Sequence, residues 1–206
     1  MTGRLRLPVD GLVLDACALI RLYNCGVLER LKGLAALHAA MHVHSEFARG
    51  GRQQKNALTP LGVFKHAVVP GTAEWDAVCL IRGSRYSNTG LGEDQSIAVC
   101  LAEAKRGRIL PLVTFDKSGA ARAARHGIPT IGFLSLLAWM VGSELMTFDE
   151  ANSVEVLAGD VNGWKRPSGY DGALERHADA LRNATGTAIH EWRLHITRQR
   201  GKGRRR

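Results

Sequence analysis

The stretch Leu12-Val13-Leu14-Asp15-Ala16-Cys17-Ala18-Leu19-Ile20 sets the reading of the whole chain. Leu12, Val13 and Leu14 read as a short buried strand, and Leu19, Leu22, Tyr23, Val27, Leu28 and Leu31 then recur at helical spacing. A strand running straight into a helix opens a β-α unit, and Asp15 stands at the junction. Its neighbours Leu14 and Ala16 belong to an apolar run, where burying a lone carboxylate is costly. A carboxylate kept at that place points to chemistry rather than to solvation.

The alternation continues outward. Residues 37–43 read as a second strand, and Ser45 as the N-cap of a helix that stops at Arg49-Gly50-Gly51. Residues 50–60 read as a polar loop, residues 63–69 as extended, and Thr72 as the cap of a helix through Ile81, with a loop over residues 83–90. Residues 93–106 carry Ile97, Leu101 and Ala104 on one helical stripe that Gly107 closes. Residues 109–114 form the clearest strand, although Pro111 removes one ladder donor. A helix over 117–126, a strand over 128–131 and a helix over 134–141 follow. This alternation predicts an α/β fold, a three-layer α/β/α sandwich with a central, mostly parallel sheet.

From Met146 the pattern changes. Thr147 caps a helix through Leu157, residues 163–172 are loop-like, 173–182 helical, and 192–197 alternate as a strand would. Residues 10–145 therefore read as the α/β domain, 146–195 as a C-terminal helical extension packing on it, and 196–206 as a basic tail of disordered composition.

A chain of 206 residues with 45% hydrophobic and 23% charged residues has a globular composition. The longest apolar run, residues 131–142, falls short of the roughly 20 that a membrane span needs. The start, MTGRLRLPVD, breaks at Pro8 and Asp10 before any signal-peptide core, so the expected compartment is the cytoplasm, with no membrane partner. Cys17, Cys25, Cys79 and Cys100 lack C-x-x-C spacing and sit in apolar stretches, which predicts reduced small hydrophobes rather than a zinc or disulfide framework. The net charge is +9, and six of those charges lie in residues 196–206, so the basicity is mostly a tail.

Four acid positions fall at element boundaries. Asp15 follows the first strand, Asp116 follows residues 109–114, Glu46 begins a helix, and Glu93 with Asp94 opens another. Ligands of an open parallel sheet bind outside the carboxyl ends of its strands, so a doubly wound topology brings these acids together. Acids in first helical turns also complement the helix dipole, a reading that serves Glu46, Glu93 or Asp94 singly better than Asp15. Two carboxylates about 5 Å apart at an effective dielectric of about 20 repel by roughly 3 kcal/mol, so a cluster requires a cation or captured protons. Oxygen-only ligands select a hard ion such as Mg²⁺, whose chemistry suits phosphodiester hydrolysis.

A polyanionic substrate agrees with the charge layout. Between Phe47 and Ala73 stand Arg49, Arg52, Lys55 and Lys65 without an acid, and Lys117 and Arg122 flank the last candidate. Arg49, Arg52, Lys55 and Lys117 are the candidate RNA contacts, a solvated loop and an exposed helix face being the plain alternatives. His38 and His42, four apart and followed by His44 and Glu46, would suit zinc on one helix, but a strand-to-helix break separates them. Trp139 reads as core, and Trp164, Tyr170 and Trp192 as cover for the sheet edge ahead of base-stacking platforms.

Four segments together resemble a PIN domain: Val13-Leu14-Asp15-Ala16-Cys17-Ala18-Leu19-Ile20, His44-Ser45-Glu46-Phe47, Leu91-Gly92-Glu93-Asp94-Gln95-Ser96-Ile97-Ala98, and Val113-Thr114-Phe115-Asp116-Lys117 with Ala121-Arg122 and Gly127-Ile128. They are similar, in order, to the D-x-S-x-L-I, helix Glu, G-E-x-x-A-I and T-x-D signatures. The resemblance covers residues 10–145, and residues 146–172 are similar to the extra helix and loop of one bacterial subgroup. It implies a Mg²⁺- or Mn²⁺-dependent endoribonuclease with Asp15, Glu46, Glu93 and Asp116 catalytic. Asp15, Glu93 and Asp116 would be the metal ligands, with Asp94 second choice to Glu93. For stand-alone bacterial members of this size it implies a VapC-like toxin, with RNA as substrate, a cognate antitoxin protein as partner, and a homodimer.

Two departures stand out. Cys17 replaces the usual serine and removes a hydroxyl that can orient a ligand, and Glu93-Asp94 offers two acids where one is usual. Counting back from Ile97-Ala98 favours Glu93. A haloacid dehalogenase-like phosphotransferase would need D-x-D where Cys17 stands, and a phospho-receiver would need an acid adjacent to Asp15. The remaining alternative is a non-catalytic PIN-like module that binds RNA or protein, although a pure binder has no use for four mutually repelling acids.

Overall fold

The computed structural model describes residues 7–83 and 89–162. Among them five strands, β1 (Leu12–Leu14), β2 (Leu37–Ala40), β3 (Phe64–His66), β4 (Leu112–Val113) and β5 (Thr130–Ile131), form one sheet in the order β3-β2-β1-β4-β5. Every ladder is parallel, with Val13 opposite both His38 and Leu112. Leu12, Val13 and Leu14 are completely buried, which is why the central strand reads as an unbroken apolar run. Truncating Leu14 to alanine there costs about 2–5 kcal/mol.

Parallel strands require crossovers. These are α1 (Ala16–Asn24), α2 (Met41–Ala48), α3 (Arg52–Leu61), α4 (Ala73–Arg82), α5 (Leu91–Lys105) and α6 (Lys117–Arg125), followed by α7 (Phe133–Gly142) and α8 (Phe148–Asn162). The chain steps from β1 through β2 to β3 in one direction, then returns past β1 to β4 and β5. Right-handed crossovers put connections of opposite direction on opposite faces, and the result is the three-layer α/β/α sandwich. α5 is packed against β2, β1 and β4, with α4 alongside, and its middle residues from Ser96 to Cys100 are buried on every side.

Several boundaries differ from the sequence reading. α2 begins at Met41, so the second strand ends at Ala40, and Ser45 is mid-helix with its hydroxyl donating to the Met41 carbonyl at 2.9 Å. The start of α2 is held from a distance: His42 N donates to Gln95 Oε1 of α5 at 3.1 Å. The polar segment read as a loop is α3, which buries Leu58 and Leu61 and ends at Gly62 in the left-handed conformation (φ 62°). β4 covers only Leu112–Val113, yet the Pro111 carbonyl still accepts from Val13 N at 3.0 Å.

Thr147 caps α8 as expected. Its hydroxyl accepts from Glu150 N at 3.2 Å, and Glu150 Oε2 accepts from Thr147 N at 2.7 Å, a reciprocal capping box. α8 runs on to Asn162 and packs on α7 and α1, and Arg30, in the 3₁₀ turn Leu28–Gly33 after α1, meets Glu150 Oε1 through Nη2 at 2.8 Å. The expectations for residues 163–206, including Trp164, Tyr170, Trp192 and the basic tail, lie outside the described residues. Trp139 is core, and all four cysteines are free, but Cys79 is exposed rather than buried. No described helix is long and apolar enough to cross a membrane.

Candidate active site

β1 and β4 are the neighbours at which the strand order reverses, so the crevice beyond their carboxyl ends is the natural ligand position of this topology. Asp15 follows β1 and caps α1; its Oδ1 accepts from Ala18 N at 2.7 Å. Asp116 follows β4 and caps α6, with Oδ2 accepting from Gly119 N at 2.8 Å. Each carboxylate is aimed by the helix that starts beneath it.

An open cleft of about 200 Å³ lies there, lined by Asp15, Ala16, Cys17, Glu46, Gly90, Gly92 and Glu93. Three of the four acids singled out in the sequence thus share one cavity, and they arrive from α1, α2 and α5. Asp116 is not part of the lining but stands beside it, close enough that its charge raises the pKa of both Glu93 and Asp15. Burial is the larger cause in both cases, and for Glu93 Arg122 pulls the other way. Asp116 itself is held low by its Gly119 and Ser118 hydrogen bonds. Both carboxyls are thus harder to ionise than free ones, chiefly because they are buried and secondarily because acids stand next to them.

Asp94 is placed differently. It is 2% exposed, with Arg82 Nη1 at 2.7 Å from one oxygen and Arg122 Nη1 at 2.8 Å from the other. It is a buried structural ion pair, while its neighbour Glu93 faces the cleft. Glu46 reaches the cleft from α2, with Oε1 at 3.2 Å from His42 Nε2. Its other oxygen lies against Gly92, where an added Cβ would come within 2.7 Å of Oε2.

Cys17 does the orienting work that a hydroxyl was expected to do. Its Sγ donates toward Asp15, at 3.1 Å from Oδ1 and 3.3 Å from Oδ2, and its pKa is pushed up to about 12 by burial and by the Asp15 charge, so the thiol keeps its proton. A further contact comes from Thr114, whose hydroxyl hydrogen-bonds Asp15 and accepts from Asp116 N at 3.3 Å. Thr114 and Arg122 tie the acids together; the T-x-D spacing signalled the first, whereas nothing local marked Arg122 as the partner of Asp94. Arg49, Arg52, Lys55 and Lys117 are exposed and none lines the cleft; Arg49 closes α2 one turn beyond Glu46, and α3, which carries Arg52 and Lys55, packs on α2. His38 lies on β2 and is buried, apart from His42 and Glu46.

Against family models, curated proteins and solved structures alike, the chain has no match.

Proposed function

We propose that this protein is a PIN-like endoribonuclease that hydrolyses RNA phosphodiester bonds with Mg²⁺ or Mn²⁺. The observation that carries the reading is the convergence of Asp15, Glu46 and Glu93 on one cleft at the β1/β4 switch point, with Asp116 beside it. A hard divalent cation fits this donor set: the donors are all carboxylate oxygens, brought together at the end of the central strands with Asp116 beside them. Asp15, Glu93 and Asp116 would hold it. The tightest group of ligand atoms among the described residues lies elsewhere, so these carboxylates would act partly through the waters that Mg²⁺ retains. Such an ion supplies charge to a phosphoryl oxygen and a lowered pKa to bound water.

The chain's own groups supply the rest. Cys17, Thr114 and Ala18 N fix the Asp15 carboxylate, so that it does not reorganise when substrate arrives. Glu46 Oε2, facing the cleft beside Gly92, takes the proton of the attacking water, while His42 holds Oε1. The exposed cations Arg49, Arg52 and Lys55 on the α2–α3 flank, with Lys117 on α6, draw in the phosphate backbone. The same reading makes the protein a cytoplasmic toxin neutralised by an antitoxin protein and working as a homodimer; sequence resemblance alone supports those partners.

The test is cleavage of a mixed RNA pool with Mg²⁺, with Mn²⁺ and with EDTA, beside the Asp15→Asn and Asp116→Asn proteins. Cleavage that needs metal and falls by orders of magnitude in both variants is expected. RNA binding without cleavage under every condition would favour the non-catalytic module instead.

A further inference from the structure

A second cluster sits at the far end of α5. Glu103 comes ten residues after Glu93, about 15 Å along the helix. There, ligand atoms of His66, Glu74 and Glu103 lie within 4.8 Å of one another, and all three residues are buried. They come from the end of β3, the first turn of α4 and the last turn of α5.

We propose that His66, Glu74 and Glu103 form a second cation site, for a borderline divalent ion of the Zn²⁺ class, which ties edge strand β3 and α4 to α5. One imidazole nitrogen with two carboxylates is a donor set that suits zinc and leaves a fourth position for water. His66 is built as such a ligand. Its Nε2 is 3.0 Å from His38 Nδ1, the remote-nitrogen bond that orients metal-binding histidines, and its Nδ1 faces Glu74 Oε1 at 3.6 Å, beyond hydrogen-bond length. A cation between those two atoms satisfies both.

Glu103 supplies the independent sign. The residue is 3% exposed, and its Oε2 has no hydrogen bond. Arg108 Nε stands 2.8 Å away and balances the charge, but its N–H does not point along that line. Arg106 occupies the position a metal would take: Nη1 is 2.6 Å from both Glu74 Oε1 and Glu103 Oε1. With 47% of its side chain exposed, it can swing into solvent when a metal arrives. Arg106 is then a resident competitor for the site.

The experiment is Zn²⁺ titration by calorimetry on metal-stripped full-length protein carrying Asp15→Asn and Asp116→Asn, which weakens binding at the cleft. One Zn²⁺ per chain is expected, with a raised melting temperature. Arg106→Gln should tighten binding about tenfold or more, since a charge-assisted contact no longer competes. His38→Gln should weaken it about 10- to 100-fold, and Glu103→Gln should abolish it. Co²⁺ in place of Zn²⁺ should give visible bands of a four-coordinate site that vanish in Glu103→Gln. Zn²⁺ binding that is absent, or no tighter in Arg106→Gln, overturns the proposal and leaves Arg106 as a plain ion-pair clamp. That comparison changes only a half-exposed side chain, so it stands even if the buried variants fail to fold.

Discussion

Arg122 Nη1 is closer to Asp94 Oδ1, at 2.8 Å, than to Glu93 Oε2, at 3.3 Å. Together with Arg82 on the other oxygen, this contact commits Asp94 to the interior and turns Glu93 to the cleft. Glu93→Gln should therefore abolish metal-dependent cleavage while unfolding in EDTA stays the same or shifts upward, because a repelled charge is removed. Asp94→Asn leaves two arginines facing a neutral group and should destabilise by about 3–5 kcal/mol. Urea unfolding beside cleavage rates separates the two; a stable, inactive Asp94→Asn would reverse the assignment.

Gly92 tests the cleft from its backbone. An added Cβ would press on Glu46 Oε2 at 2.7 Å, the far end of a side chain that can move aside. Gly92→Ala should keep stability or gain up to about 1 kcal/mol of helix propensity, yet lower the cleavage rate by displacing Glu46. Unchanged turnover in that variant would remove Glu46 from the mechanism.

His38 gives a pH signature. Burial, with help from His66 and Arg108, lowers its pKa from 6.5 to about 4. Between those values the unfolded chain binds the proton and the folded chain does not, so stability rises with pH and is lost as pH falls from 6.5 toward 4. The effect is on the order of 3 kcal/mol across the window. His38→Gln should flatten this part of the stability–pH curve, measured by urea unfolding in EDTA; a slope equal to the unsubstituted protein's would show that His38 takes up its proton alike in the folded and unfolded chains.

The tail makes a separate prediction. Arg198, Arg200, Lys202, Arg204, Arg205 and Arg206 are six charges near glycines. If all engage single-stranded RNA, they contribute up to about −4 to the log–log salt slope. Truncation after Ile196 should flatten that slope without moving the cleavage position. An unchanged slope would mean that the tail does not touch RNA.

What the sequence disclosed follows from how local each determinant is. Leu12, Val13 and Leu14 are buried on both faces and Thr72 and Thr147 cap their own helices, so pattern and chemistry coincide within a few residues. The start of α2 did not show, because its holding group is Gln95, 53 positions away from His42. α3 hid behind Arg52-Gln53-Gln54-Lys55-Asn56, although Leu58 and Leu61 at helical spacing before Gly62 carried the signal. In and beside the cleft, Asp15 and Asp116 announce themselves at strand ends. The choice between Glu93 and Asp94 turns on Arg82 and Arg122, which only the packing of α4 and α6 brings near.

β1 pairs with β2 on one side and with β4 on the other, and β4 lies about a hundred residues further along the chain. On a ribosome adding about 5–20 residues per second, the first strand waits roughly 5–20 s for its second neighbour, and Asp15 waits as long for Asp116. An unfinished chain holds Asp15, Glu46 and even Glu93 without the fourth acid or the strand that positions it. The order of the strands therefore postpones assembly of the four-acid site until nearly the whole described fold has left the exit tunnel; under the proposed ribonuclease reading, a nascent fragment would be unable to cut the message from which it is being made.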